Sequence, residues 1–211
     1  MRVGVLISGF GSNMMKLIES CENNDSKASI ELVFSNNPNA KGIEYAKSKG
    51  IRVISIDHKN YENRNEFDDQ VNKVLLDHDI ELICNAGFMR IHSDNFVKKW
   101  FNRHLNIHPS LLPSFKGLNT HKKAIEAGVK FSGCTVHMVR PGVDEGPIIG
   151  QAITSVNPRD NEELLAEKVL KLEHMLYTAC LHLIDEGQIK INLDKVDYSD
   201  KAIKKLEDFK I

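Results

Sequence analysis

The chain has 211 residues, enough for one large domain with its own hydrophobic core. Its 28 basic and 29 acidic side chains give a formal net charge of -1 at pH 7, so no basic surplus indicates nucleic acid or an anionic membrane as a partner. No apolar run approaches the roughly 20 residues of a transmembrane helix, and the short apolar N-terminus predicts a first strand rather than a signal peptide.

The four cysteines are far apart in the sequence and form no Cys-x-x-Cys pair. This spacing favours reduced thiols, and therefore a cytoplasmic protein, over a disulfide framework or a zinc site. The nine histidines include no His-Glu-x-x-His pattern, so the sequence predicts no metal.

The first half of the chain alternates short apolar runs with helical patterns. Strands are predicted at residues 3–8, 30–35, 52–56 and 80–86, and helices at residues 14–21, 41–49 and 63–78. In the second half we expect a helix at 94–100, a fifth strand stopping at Pro109, a helix at 120–127, a hairpin of strands at 131–139 and 148–156, and a long helix at 161–186.

This order predicts an α/β fold. A Rossmann-like, mostly parallel twisted sheet should carry helices on both faces and end in antiparallel strands towards the C-terminus. We expect the domain to span residues 1–187 and a polar C-terminal tail to span 188–211, packed on or beside the domain.

The first predicted strand runs into a glycine loop, Gly9-Phe10-Gly11-Ser12-Asn13, before a helix. A helix N-terminus presents unpaired N–H groups and suits a phosphate. A dinucleotide fingerprint would need a third glycine where Met14 stands, and no Gly-Lys-Ser/Thr follows. A small phosphate monoester is therefore the expected ligand, and a tight turn without a ligand is the alternative.

Asn106 and His108 lie two residues apart near the end of the fifth strand and should point to the same side. An amide donor and an imidazole could stabilise an oxyanion and move a proton together. The third member that such a pair needs would be Asp144 or Glu145, in a turn-rich segment. The alternatives are an incidental strand-end pair and ordinary turn carboxylates.

Several of these segments, in this order, resemble the phosphoribosylglycinamide formyltransferases of the folate-dependent formyltransferase superfamily. The resemblance rests on Ser8-Gly9-Phe10-Gly11-Ser12-Asn13, Ala86-Gly87-Phe88-Met89-Arg90-Ile91, Leu105-Asn106-Ile107-His108-Pro109-Ser110-Leu111-Leu112-Pro113, Gly133-Cys134-Thr135-Val136-His137 and Asp144-Glu145-Gly146-Pro147-Ile148. It implies transfer of the formyl group of 10-formyltetrahydrofolate, as co-substrate, to the amine of a phosphoribosylglycinamide in de novo purine biosynthesis, by a monomer or homodimer that needs no metal.

The resemblance also implies a role for individual residues. The catalytic set would be Asn106, His108 and Asp144. The phosphorylated substrate would contact Gly11, Ser12, Asn13 and Glu173, and the folate would contact Arg64, Met89, Arg90, Ile91, His92, Arg140 and Val143.

Three residues depart from the family pattern, and other functions remain open. Phe10 replaces a small or polar residue, Lys116 replaces a proline expected to stiffen its loop, and Asn119 replaces a histidine. A formyltetrahydrofolate deformylase would be expected to carry an extra N-terminal domain, and a methionyl-tRNA formyltransferase a further C-terminal one. A non-catalytic phosphosugar-binding module and a dehydrogenase are the remaining alternatives.

Overall fold

The computed structural model describes residues 1–22 and 27–209. Its strands form a seven-stranded sheet in the order β3-β2-β1-β4-β5-β6-β7 and a separate two-stranded sheet, β8-β9, within these ranges. The pairs β1–β2, β1–β4, β2–β3 and β4–β5 are parallel, whereas β6–β7 is antiparallel. The predicted α/β fold, mostly parallel with antiparallel strands near the C-terminal end, is confirmed.

The chain divides into two compact units, and it passes from the first to the second inside β5. The first unit holds Met1–Asn106 and Val139–Pro141. Its elements are β1 (Arg2–Ile7), α1 (Ser12–Cys21), β2 (Ser29–Ser35), α2 (Gly42–Ser48), β3 (Arg52–Ser55), a short 3₁₀ helix (His58–Asn60), α3 (Arg64–Asp77), β4 (Leu82–Asn85), α4 (Asp94–Lys99) and the first part of β5 (His104–His108).

The core of the first unit forms because its parallel strands are apolar on both faces. All residues of β1 after Arg2 are buried, as expected for a central parallel strand. Helix α3 begins after Asn63, whose side chain accepts from the Glu66 N–H while its amide donates to the Glu66 carboxylate. This reciprocal cap stabilises the first turn of α3, which packs Phe67, Val71 and Leu75 into the core.

The second unit holds Ile107–Met138 and the chain from Gly142 onwards. Its elements after β5 are α5 (Thr120–Glu126), β6 (Phe131–Met138), β7 (Ile148–Ser155), α6 (Glu162–Asp185), β8 (Ile189–Asn192), β9 (Lys195–Tyr198) and α7 (Asp200–Glu207). Helix α6 lies close to β7, since a Cβ added at Gly150 would be 3.1 Å from the Cys180 Sγ.

The segment after residue 187, for which the sequence predicts only a polar tail, contains β8, β9 and α7. Tyr198 donates its hydroxyl to the Ile148 and Ile149 carbonyls of β7, and the Ile153 N–H donates to the Phe209 carbonyl. The domain boundary at residue 187 stays a prediction, and residues 210–211 of the predicted tail lie outside the described residues.

Gly133 is a position where the β6–β7 pair tolerates no side chain. A Cβ there would lie 1.8 Å from the Ala152 carbonyl oxygen, a backbone atom that cannot turn away. We therefore expect Gly133→Ala to lower the free energy of unfolding by about 3 kcal/mol, measured by chemical denaturation. The control is Gly9→Ala, where an added Cβ meets nothing within 4 Å. Equal stability of the two variants would contradict this packing.

Candidate active site

The loop that follows β5 is held by hydrogen bonds from β6 and β7. Thr135 donates its hydroxyl to the Ser110 carbonyl at 2.7 Å and accepts from the Leu112 N–H at 3.0 Å. Gln151, which faces Thr135 across the strand pair, donates to the Leu112 carbonyl at 2.9 Å. Pro109 and Pro113 restrict the backbone of this loop, and these cross-strand contacts supply further stiffness.

His108 is buried where β5 runs into this loop. Its Nε2 lies 3.0 Å from the Phe115 carbonyl oxygen, and its Nδ1 lies 3.4 Å from Asp144 Oδ2. Both ring nitrogens thus face acceptors, an arrangement that the doubly protonated imidazolium satisfies best. Asn106 is half-buried in the same strand, two residues earlier, so that its side chain leaves the strand on the same face as His108.

Asp144 lies in a turn with the left-handed backbone angle φ of 54°. Its Oδ2 accepts from the Gly117 N–H at 2.9 Å, and its Oδ1 lies 3.6 Å from His137 Nε2. The other nitrogen of His137 lies 2.9 Å from the Met138 carbonyl oxygen. A carboxylate that is only 11% exposed is therefore surrounded by donors from three directions.

These contacts shift the acid–base properties of both groups. Burial lowers the pKa of His108 below its ordinary value, although the Phe115 carbonyl and Asp144 act in the opposite direction. Burial alone would raise the pKa of Asp144, but the donors His137 and Gly117 and the attraction of His108 hold it below its usual range. The contacts thus favour the ionised form of Asp144, whereas burial opposes the positive charge that the two acceptors around His108 favour.

Of the two carboxylates that the sequence offers as partners for His108, Asp144 is the one beside it. Glu145 points elsewhere and pairs with Lys116 at 2.9 Å. The Lys116 carbonyl in turn accepts from Lys123 Nζ at 3.1 Å. Lys116, which departs from the family pattern, therefore forms an ion pair with Glu145 in the turn that carries Asp144. Asn119 precedes α5 in the left-handed conformation, with φ of 58°.

In the first unit, the glycine loop opens the N-terminus of α1. Gly11 adopts φ of 74°, and α1 has neither a side-chain cap hydrogen bond nor an acidic residue in its first turn. Asn13 is buried, whereas Phe10 is 63% exposed. The Gly42 N–H donates to the Gly9 carbonyl, so α2 supports the loop from behind. An uncapped helix N-terminus of this kind is suited to an anion.

The apolar loop after β4, residues 87–92, has both solvent-exposed and buried side chains. Met89 is 68% and Ile91 54% exposed, whereas His92 is buried beside Asp68. The Arg90 guanidinium lies 5.9 Å from the centre of the Phe67 ring. Exposed apolar side chains on an ordered loop are typical of a surface that binds an apolar or aromatic ligand.

The other predicted binding residues occupy separate positions within the two units. Arg64 is the exposed first residue of α3, and the Arg140 guanidinium stacks 3.9 Å from the centre of the Phe101 ring. In the second unit, Glu173 is buried on α6 and Val143 is 46% exposed. Within the described ranges, no cluster of three histidine, cysteine or acidic side chains could hold a metal, and no helix is long and apolar enough to cross a membrane.

Thr135, His137 and Gln151 contribute to the His108 environment but are absent from the sequence-based site. Thr135 and His137 alternate on β6, a period of two that places both on one face of the strand. That alternation was the available signal for His137, which the sequence offers only as part of the motif at residues 133–137. Gln151 gives no such signal, since its position opposite Thr135 depends on the strand register.

Comparison with known proteins identifies the family. The formyl transferase family model matches residues 1–181. The trifunctional purine biosynthetic protein adenosine-3 of Gallus gallus is 50% identical over 190 residues, which are 90% of this chain but 19% of that protein. The chain thus spans about a fifth of the length of such relatives. The phosphoribosylglycinamide formyltransferase of Haemophilus influenzae is 37% identical over 97% of this chain and 96% of that protein.

Solved structures agree with this assignment. The glycinamide ribonucleotide transformylase 1 of Symbiobacterium toebii superposes with a TM-score of 0.91 at 39% identity, covering 95% of this chain and 94% of that one. The family model, the full-length relative and the shared fold all lead to one conclusion: the chain belongs to the phosphoribosylglycinamide formyltransferase family of formyl transferases.

Proposed function

We propose that the chain transfers the formyl group of 10-formyltetrahydrofolate to the amine of N1-(5-phospho-D-ribosyl)glycinamide, a step of de novo purine biosynthesis. The observation that carries the proposal is the buried His108–Asp144 pair at the end of β5, with Asn106 on the same strand. The names of the relatives supply the substrate class.

The reaction is a direct attack of the amine on the formyl carbon. A bond forms between the amine nitrogen and that carbon, and the carbonyl electron pair moves to oxygen. The tetrahedral intermediate collapses by breaking the bond to the folate nitrogen, which gains a proton while the amine loses one. Asn106 donates a hydrogen bond to the oxyanion, and the positive charge of the protonated His108 ring, whose two N–H groups face Phe115 and Asp144, stabilises it electrostatically.

The shifted pKa values suit this chemistry. Burial makes the free His108 weakly basic, but a developing oxyanion nearby favours its protonation, as does the ionised Asp144. The imidazolium is therefore most stable when the substrate carries its negative charge. This is the differential stabilisation that lowers a barrier, since the uncharged substrate does not receive it.

Different residues would bind the two substrates. The phosphate is assigned to the N-terminus of α1, where Gly11, Ser12 and Asn13 offer backbone and side-chain donors. The folate, which carries a flat heterocycle, is assigned to the loop with the exposed Met89 and Ile91, together with Arg64, Arg90, Arg140 and Val143. His92, which the sequence places among the folate contacts, is buried beside Asp68 and is assigned to the support of this loop. Glu173 is assigned to the ribose. A cytoplasmic location and a monomeric or homodimeric state stay predictions.

The function is tested by absorbance-monitored turnover of 10-formyltetrahydrofolate, or of a 5,8-dideaza analogue, with and without the phosphoribosylglycinamide. We expect turnover only when the amine is present, because water is not the acceptor. Turnover without the amine would indicate a deformylase instead. No turnover by folded protein in either assay would leave a phosphosugar-binding module.

Removing either member of the buried pair should abolish most of the activity without unfolding the protein. We expect His108→Ala and Asp144→Ala to lose about 10²–10⁴-fold in kcat, the usual contribution of a positioned acid or base. The control variant, His182→Ala, changes a histidine in the last turn of α6 and should keep the wild-type kcat. Retention of full activity by either of the first two variants would contradict the assigned roles.

The pKa of His108 offers an independent test by NMR titration of its ring, assigned with the His108→Ala spectrum. The wild-type pKa should lie below the ordinary value of 6.5, because burial disfavours the cation. In Asp144→Asn the pKa of His108 should fall further, because the negative charge that favours the protonated ring is lost. The control, Glu145→Gln, removes a negative charge from the next residue. Because Glu145 pairs with Lys116 and not with His108, this variant should leave the pKa of His108 unchanged. A pKa that does not move in Asp144→Asn would refute the coupling.

A further inference from the structure

A second buried acid–base pair lies in the first unit, remote in sequence from His108 and Asp144. His92 Nδ1 is 3.1 Å from Asp68 Oδ1, and the two side chains are 2% and 3% exposed. The other carboxylate oxygen of Asp68 accepts from the Ser93 N–H. Asp68 on α3 thus holds the last residue of the 87–92 loop and the N-cap of α4.

Aromatic rings fix the orientation of His92. Its imidazole stacks between Phe88 and Phe96, at centroid distances of 5.1 and 4.3 Å and an interplanar angle of 10° in both cases. The edge of His104 closes a third side at 5.1 Å. The ring of His92 is therefore restrained on three sides by other rings and by its hydrogen bond to a carboxylate. These contacts favour a single rotamer, and they restrain the backbone of His92 with it.

The opposite end of the loop is held as well. The Ser8 hydroxyl accepts from the Met89 N–H at 2.7 Å and donates to Asn36 Oδ1 at 2.6 Å. The Ser8 N–H donates to the Gly87 carbonyl at 3.1 Å. Both ends are therefore fixed to other elements, and the exposed Met89 and Ile91 lie between them.

Burial of a carboxylate is expensive, and an apolar side chain would stabilise a core position more simply. Such a pair is useful where one backbone conformation must be favoured over others, since its hydrogen bonds have directions that apolar contacts lack. The loop that it restrains is the one with solvent-exposed apolar side chains, where restraint lowers the entropy lost on ligand binding.

We infer that Asp68 and His92 are positioning residues, which hold the 87–92 loop in the conformation that binds the reduced folate. The inference rests on the proposed function, because it deepens the folate assignment of that loop. Neither side chain takes part in the chemistry. Their loss should therefore weaken folate binding and leave the chemical step and the binding of the phosphorylated amine unchanged.

The test compares steady-state constants of Asp68→Ala, Asp68→Asn and His92→Phe with those of the wild type. Asp68→Ala should raise the KM for the formyl donor about tenfold, while kcat and the KM for the amine stay within about twofold. Asp68→Asn keeps an acceptor for the Ser93 N–H and should be milder. His92→Phe keeps the stacking but loses the hydrogen bond, so it remains informative if Asp68→Ala does not fold.

A matched control lies one residue away. Asp69 is also on α3 and also faces α4, where its carboxylate is 3.2 Å from Lys99 Nζ, but it is 67% exposed. Asp69→Asn should leave both KM values unchanged. Equal effects on the two KM values in Asp68→Asn and His92→Phe, or an unchanged KM for the formyl donor, would overturn the inference.

Hydrogen exchange separates this inference from the proposed function. Without any ligand, the amides of residues 88–92 should exchange faster in the Asp68 and His92 variants than in Asp69→Asn. If wild-type protein shows no turnover, the proposed function fails, and the exchange rates alone decide whether the pair restrains the loop. Equal rates in all variants would overturn the restraint itself.

Discussion

A carboxylate that is buried beside an imidazole needs donors in several directions, and the second unit is built to supply them to Asp144. The Gly117 N–H, His137 and His108 approach it from different elements. The loop that contains Gly117 is itself held by hydrogen bonds from Thr135 and from Gln151 of β7. Without these donors burial would raise the pKa of the carboxylate, which would weaken its attraction for a protonated His108.

Asp68 repeats this arrangement in the first unit with a different result. It too is a buried carboxylate that receives an imidazole and a backbone N–H. The imidazole beside Asp68, that of His92, is stacked between aromatic rings. The imidazole of His108, in contrast, lies beside a loop whose Phe115 carbonyl faces its Nε2. On the proposed roles, the same chemical pair fixes a backbone at Asp68 and moves a proton at Asp144, and we infer that the groups around the imidazole decide between the two.

The sequence predicts well what depends on local periodicity. Apolar runs locate the strands, and the spacing of Asn106 and His108 places them on one face of β5. Periodicity alone, without the family resemblance, does not choose between Asp144 and Glu145, because that choice depends on which carboxylate the Gly117 N–H meets across the loop. Nor does it reveal β8, β9 and α7, which are short and mostly polar and gain order through contacts such as that of Tyr198 with β7.

Lys116 illustrates why a departure from the family pattern need not alter a site. The Lys116–Glu145 ion pair is well exposed, and such pairs contribute only about 0–1 kcal/mol. The contact that matters to Asp144 comes from the next residue and is made by the Gly117 backbone N–H, which every side chain at 116 leaves in place. Gly117 adopts φ of 75°, so glycine is favoured at 117, whereas residue 116 is free to vary. The constraint on this loop therefore acts on its backbone.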